Sequence, residues 1–170
     1  MATIDLIVLG MLTRGPMSAY EIQKLVEYRN ISKWVKISTP SIYKKAIQLE
    51  EKGLIKGKII KEGKMPEKSV YSLTETGKKE FERLMFEISS KPIHIFLDFN
   101  AVIVNLESLP LEKQKICLAD IAANVQILKN SLKKNLQEKE NIAGIPETGL
   151  AVLRQQRVLA ERIETWIISL

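Results

Sequence analysis

Ser38-Thr39-Pro40-Ser41-Ile42-Tyr43-Lys44-Lys45 opens the stretch whose reading decides the fold, and that stretch runs on to Gly77. Thr39 is a good N-cap, and Pro40 suits the first helical position, where its missing N–H costs nothing. At about 100° per residue, Ile42, Ala46 and Leu49 share one helix face. Ser41, Lys44, Gln48 and Glu51 share the opposite face, with Tyr43 and Ile47 along a flank. Gly53 is placed to end the helix as its C′ residue. Residues 54–61 and 68–73 then read as two strands around Glu62-Gly63-Lys64-Met65-Pro66-Glu67. Lys64 and the flanking Lys61 and Lys68 are free to point outward. A helix followed directly by a basic hairpin is the DNA-reading half of a winged helix-turn-helix.

The charge supports that reading. The chain of 170 residues carries a net charge of +6, and the excess is local. Residues 29–68 hold eleven Lys/Arg against four Glu, whereas residues 91–170 hold ten Lys/Arg against nine Asp/Glu. A lysine-rich stretch is usually a solvated surface; an excess confined to a helix and hairpin points to a polyanion.

Upstream, residues 4–13 read as a helix that is apolar nearly all round and therefore buried. Arg14-Gly15-Pro16-Met17 breaks it, and Ser18-Ala19-Tyr20-Glu21 has capping-box spacing for a second helix. Residues 30–37 form a polar connector carrying Trp34. Downstream, Thr74 caps a helix striped with Phe81, Leu84, Met85 and Ile88, and Ser90-Lys91-Pro92 reads as a domain boundary. Residues 93–106 read as an apolar helix with a single His. A long helix follows over about 110–140, with Leu118, Ile121, Val125, Leu128, Leu132 and Leu136 spaced by three or four. A last helix carries Leu159, Ile163, Trp166 and Leu170 on one face.

Catalytic chemistry is sparse. His94 and Cys117 are the only histidine and cysteine, and together they make no metal-ligand pattern. There is no glycine-rich phosphate loop and no nucleophile elbow. No cofactor or metal is expected. A lone cysteine forms no intrachain disulfide and fits a reducing cytoplasm. The first residues show no basic n-region, and no apolar run approaches a membrane span, so no membrane partner is expected.

Several stretches carry a resemblance. Ser18-Ala19-Tyr20-Glu21-Ile22 comes first, then Ser41-Ile42-Tyr43 with Leu49-Glu50-Glu51-Lys52-Gly53-Leu54-Ile55. Pro66-Glu67-Lys68-Ser69-Val70-Tyr71-Ser72-Leu73-Thr74-Glu75-Thr76-Gly77 completes the series. In this order they resemble the PadR family of bacterial transcription regulators, over roughly residues 1–90. The helical second half is similar in kind to the longer PadR-like proteins. The resemblance implies a homodimeric repressor or activator, a palindromic operator and often a small-molecule signal. Ala19 and Pro40 stand where the family usually has Gly.

The reading is therefore a mainly α chain with a small β-hairpin. A winged helix-turn-helix over residues 1–90 binds double-stranded DNA, and an all-helical domain over 91–170 forms the homodimer. The residues expected on DNA are Ser38, Thr39, Ser41, Tyr43, Lys44, Gln48, Lys61, Lys64, Lys68 and Tyr20. Lysine suits guanine and glutamine suits adenine, while the hairpin lysines suit phosphate. Dimerisation is expected through Leu118, Ile121, Val125, Leu128, Leu132, Leu159, Ile163 and Trp166. A small apolar or phenolic effector is expected near Phe96, Phe99 and Trp166. The alternatives are a winged-helix regulator of another kind, such as the MarR-like group, and a helical adaptor with a polyanion-binding wing.

Overall fold

The structure is a computed structural model and describes residues 2–61, 67–142 and 145–170. The chain divides into two compact units, Met1–Ile93 and His94–Leu170. The described elements are seven helices and one three-stranded antiparallel sheet.

In the first unit, α1 (Ala2–Leu12) is buried through Ile4, Val8, Leu9, Met11 and Leu12. Gly15, at φ 141°, takes a conformation that side chains rarely adopt and turns the chain into β1 (Met17–Ser18). Helix α2 (Ala19–Tyr28) starts with the capping box read from the sequence: the Glu21 amide donates to Ser18 Oγ, and the Glu21 carboxylate accepts from the Ser18 amide. A short 3-10 turn over Ile31–Lys33 buries Ile31 and leads to α3 (Ser41–Glu51).

The start of α3 differs from expectation. Thr39 gives no side-chain cap, and Pro40 precedes the helix instead of opening it. The amides of Ser41 and Ile42 donate to the carbonyls of Ser38 and Thr39 at 3.0 and 3.1 Å. Pro40, with φ fixed at −60°, holds a tight turn there, so these i→i−3 bonds stand in for the cap. The other end is as read. Gly53 sits at φ 68°, its amide donates to Glu50 O, and that of Leu54 donates to Leu49 O, which together form a Schellman motif.

Strands β2 (Ile55–Ile60) and β3 (Lys68–Leu73) form the wing, in register from Ile55 opposite Leu73 to Ile60 opposite Lys68. The third strand, β1, pairs on the far side of β3, Met17 opposite Tyr71. Helix α4 (Glu75–Ser89) follows at once. Thr74 Oγ1 caps it by accepting from the Gly77 amide, and donates to the carbonyls of Gly53 and Leu54.

In the second unit the expected helix over 93–106 is not formed. Only α5 (Asn100–Ile103) and a 3-10 turn over Leu106–Ser108 are helical. Ile93, Ile95 and Phe96 stay exposed. A helix is sustained by packing one apolar face. Here only Phe99 and Ile103 find a surface, the cluster of Ile121, Val125 and Ile167. Helices α6 (Leu111–Glu140) and α7 (Glu147–Ile168) run antiparallel. Ile121 and Val125 near the start of α6 meet Ile167 near the end of α7, and Leu136 meets Leu150 and Leu153. Among the described residues no helix is long and apolar enough to cross a membrane.

The corner joining α3, β2 and α4 tolerates no side chain at Gly77, where an added Cβ would lie 1.9 Å from the Leu54 carbonyl oxygen. Gly77→Ala is expected to cost about 2–3 kcal/mol or more, because backbone must move to admit it. Gly149→Ala, in open space in the first turn of α7, is expected to be neutral or to stabilise by ~0.5–1 kcal/mol. Urea midpoints read by circular dichroism compare the two; a Gly77→Ala midpoint equal to wild type would contradict the close corner.

Candidate nucleic-acid interface

Ile42, Ala46 and Leu49 have no solvent exposure, and this fixes which way α3 faces. A ridge of Tyr43, Lys44 and Ile47 turns outward, Tyr43 46% and Ile47 53% exposed. Ser41 and Gln48 are only half-buried neighbours of that ridge. The polar face expected from the sequence is therefore rotated. Helix α1 covers its edge, and Lys45 beside it is buried, its ammonium 2.8 Å from the Asp5 carboxylate. Nothing local announces this pair, because its members lie on separate helices.

Between α2, α3 and the wing lies a cleft of about 600 Å3. Tyr20, Tyr43, Lys68, Ser69 and Tyr71 line it, so Tyr20, Tyr43 and Lys68 from the expected set come together. The Lys68 ammonium is 3.9 Å from Glu21. The amide and hydroxyl of Ser18 donate to Glu21 at 2.7 and 2.8 Å. Those two donors, and then the charge of Lys68, hold the Glu21 carboxyl below its usual range. Glu21 thus stays ionised and offsets part of the charge of Lys68. The Lys24 ammonium lies 5.5 Å from the centre of the Tyr20 ring, within cation–π range.

The wing is braced against α3 from its base. The Gly57 amide donates to Glu50 Oε1 at 2.7 Å. Burial, and then the nearby charge of Glu50, push up the pKa of the Tyr71 phenol opposite Gly57. Ser38 and Lys61 are exposed and Thr39 is half-buried. Lys64 lies outside the described residues. Three outward residues were missed from the sequence. Lys56 and Lys58 are exposed on one face of β2, and their spacing of two was the signal. Ile47 was placed on a flank because its burial could not be judged without α1.

In the second unit, Ile121 and Val125 are buried within their own chain, and Leu118, Leu132 and Ile163 pack against the two clusters. Leu128, Leu159 and Trp166 remain outward. The Phe99 ring stacks on Trp166 with centroids 6.1 Å apart. Phe96 is not part of that contact: it is 86% exposed and stacks on His94. Among the described residues no group of His, Cys, Asp or Glu could hold a metal ion.

Residues 8–83 match the sequence pattern of the Transcriptional regulator PadR-like family. No curated protein matches the chain at the sequence level. Among solved structures, Bacillus subtilis PadR in complex with operator DNA is 19% identical, with a TM-score of 0.84 over 98% of this chain and 96% of that one. The same protein in complex with p-coumaric acid is 19% identical with a TM-score of 0.80, over 98% and 92% of the two chains. The Vibrio cholerae virulence activator AphA is 17% identical with a TM-score of 0.69, over 98% and 94%. These likenesses carry the fold, and the match over residues 8–83 contains the capping box, the outward ridge of α3 and the wing. Residues 8–83 thus match the Transcriptional regulator PadR-like family, and over nearly its whole length the chain shares the fold of Bacillus subtilis PadR.

Proposed function

We propose that the chain is a PadR-like transcriptional regulator, a sequence-specific repressor that works in the cytoplasm and binds a palindromic operator as a homodimer. In this reading residues 1–90 meet DNA and residues 91–170 join two copies. The observation that carries it is the exposed Tyr43–Lys44–Ile47 ridge of α3 set beside a lysine-bearing wing. A helix in the major groove reads base edges, and flanking cations take phosphate. Lys44 and Gln48 suit purine edges, and Ile47 offers an apolar surface to a thymine methyl group. One such module covers few base pairs, so two are needed for useful selectivity. The outward Leu128, Leu159 and Trp166 supply apolar surface for the second copy. Bacillus subtilis PadR, which shares the fold, is seen with operator DNA. His94 and Cys117 have no catalytic part in this reading.

Ridge and wing separate by experiment on a duplex selected from a random pool and on a mixed-sequence duplex. Lys44→Ala, Ile47→Ala and Gln48→Ala should each relax sequence preference, by ~1–3 kcal/mol for a lost base contact. Lys58→Ala and Lys68→Ala should weaken both duplexes alike and lower the salt slope by about one unit per contact. Equal losses on both duplexes from the ridge variants would contradict the docking. A wild-type chain with a salt slope and no preference would favour the adaptor reading.

A small apolar or phenolic effector is proposed beside Phe99 and Trp166, on the precedent of p-coumaric acid bound to Bacillus subtilis PadR. It can act only by binding the DNA-competent and DNA-incompetent states unequally. Trp34→Phe leaves Trp166 as the sole tryptophan. p-Coumaric acid should quench its fluorescence and lower operator affinity; quenching with unchanged operator affinity would contradict the switch.

A further inference from the structure

A second groove flanks α3 on the side away from Tyr43; the contacts proposed above draw on residues of its wall but give the groove itself no occupant. It has a volume of about 360 Å3 and follows the seam of α1 and α3. Thr3 lines it from α1, Lys36 and Ser38 from the approach to α3, and Ser41, Lys44 and Gln48 from α3 itself. No lining residue is acidic. Lys36 and Lys44 form no ion pair among the described residues. The acid that α1 brings to this side, Asp5, is already neutralised by Lys45. Two unpaired ammonium groups, beside the paired Lys45, and three hydroxyls thus line a groove with no acidic side chain of its own.

We propose that this groove seats a backbone phosphate of duplex DNA, on the strand across the major groove from the one met by the wing-side cleft. The proposal rests on the DNA-binding reading and adds a site to it. A helix lying in a groove about 12 Å wide has a sugar–phosphate strand along each side. The outward ridge of α3 has a cleft along each side too: one holds Tyr20, Tyr43 and Lys68, the other Lys36, Ser38 and Ser41. Lys36 supplies the charge and the serine hydroxyls supply short donors. Gln48 and Lys44 form the wall shared with the base-reading ridge. Phosphate contacts on both sides fix how deep and at what angle α3 enters, which one-sided contact through the wing alone leaves free.

The salt dependence of binding tests this with wild type, Lys36→Gln and, as a wing control, Lys58→Ala. Lys36 is exposed and makes no ion pair among the described residues, so the variant should keep the wild-type melting midpoint. On a mixed-sequence duplex, Lys36→Gln should lower the log–log salt slope by about one unit. Its ratio of selected-duplex to mixed-duplex affinity should stay at the wild-type value. A neutral methylphosphonate scanned along the selected duplex should find one position per half-site that weakens wild type and leaves Lys36→Gln no weaker. An unchanged slope for Lys36→Gln, beside a lowered slope for Lys58→Ala, overturns the seat and spares the DNA reading. A wild-type chain with no salt-dependent duplex binding overturns both.

Discussion

Complete burial of Ile42, Ala46 and Leu49 is the constraint on which the proposed reading head depends. Ile42 and Leu49, each worth ~1.5–3 kcal/mol when fully removed from water, with Ala46 on the same face, allow α3 only one rotation about its axis. That rotation puts Tyr43, Lys44 and Ile47 outward. It also carries Lys45 inward against α1, where only a charge partner makes it tolerable, and Asp5 provides one at 2.8 Å. A buried ion pair adds little net stability compared with an apolar pair of similar volume. Its effect here is geometrical: it ties the middle of α3 to the first turns of α1 and leaves Asp5 paired beside the groove between those helices.

The wing owes its place to a second set of bonds. The Schellman end of α3 turns the chain at Gly53, and Thr74 reaches back from the foot of α4 to the carbonyls of Gly53 and Leu54. Glu50, in the last turn of α3, accepts from the Gly57 amide in β2. Helix, wing and α4 therefore share one hydrogen-bonded corner, packed so closely that Gly77 has no room for a Cβ. Ridge and wing lysines are held by this corner as parts of one rigid surface, which is what simultaneous contact with bases and phosphates requires.

Much of this was legible in the sequence. The capping box at Ser18 and Glu21, the buried face of α3, the αL end at Gly53, the hairpin and the Thr74 cap all have local signatures. What was not legible needs long-range partners. β1 is two residues long, too short for any alternation, and exists because β3 offers an edge. The rotation of the polar face and the exposure of Ile47 depend on where α1 packs. Residues 93–106 are apolar enough for a helix, yet only Phe99 and Ile103 meet a surface within their unit. Of the aromatic trio proposed for a ligand, two ring-stack because α5 and α7 bring them together, while Phe96 lies on the unpacked side of that segment. Periodicity identifies an apolar face but does not reveal whether another element will cover it.

The central claim is that two copies of α3 enter successive major grooves. Dimethyl sulfate footprinting of the full chain on the DNA upstream of its own gene tests it most directly, because the reagent reports guanine N7 in the major groove. The account predicts two patches of protection related by two-fold symmetry, with centres one helical turn, about 10–10.5 base pairs, or a multiple of it apart. Protection confined to minor-groove adenines, or a single patch with no symmetric partner, would contradict it.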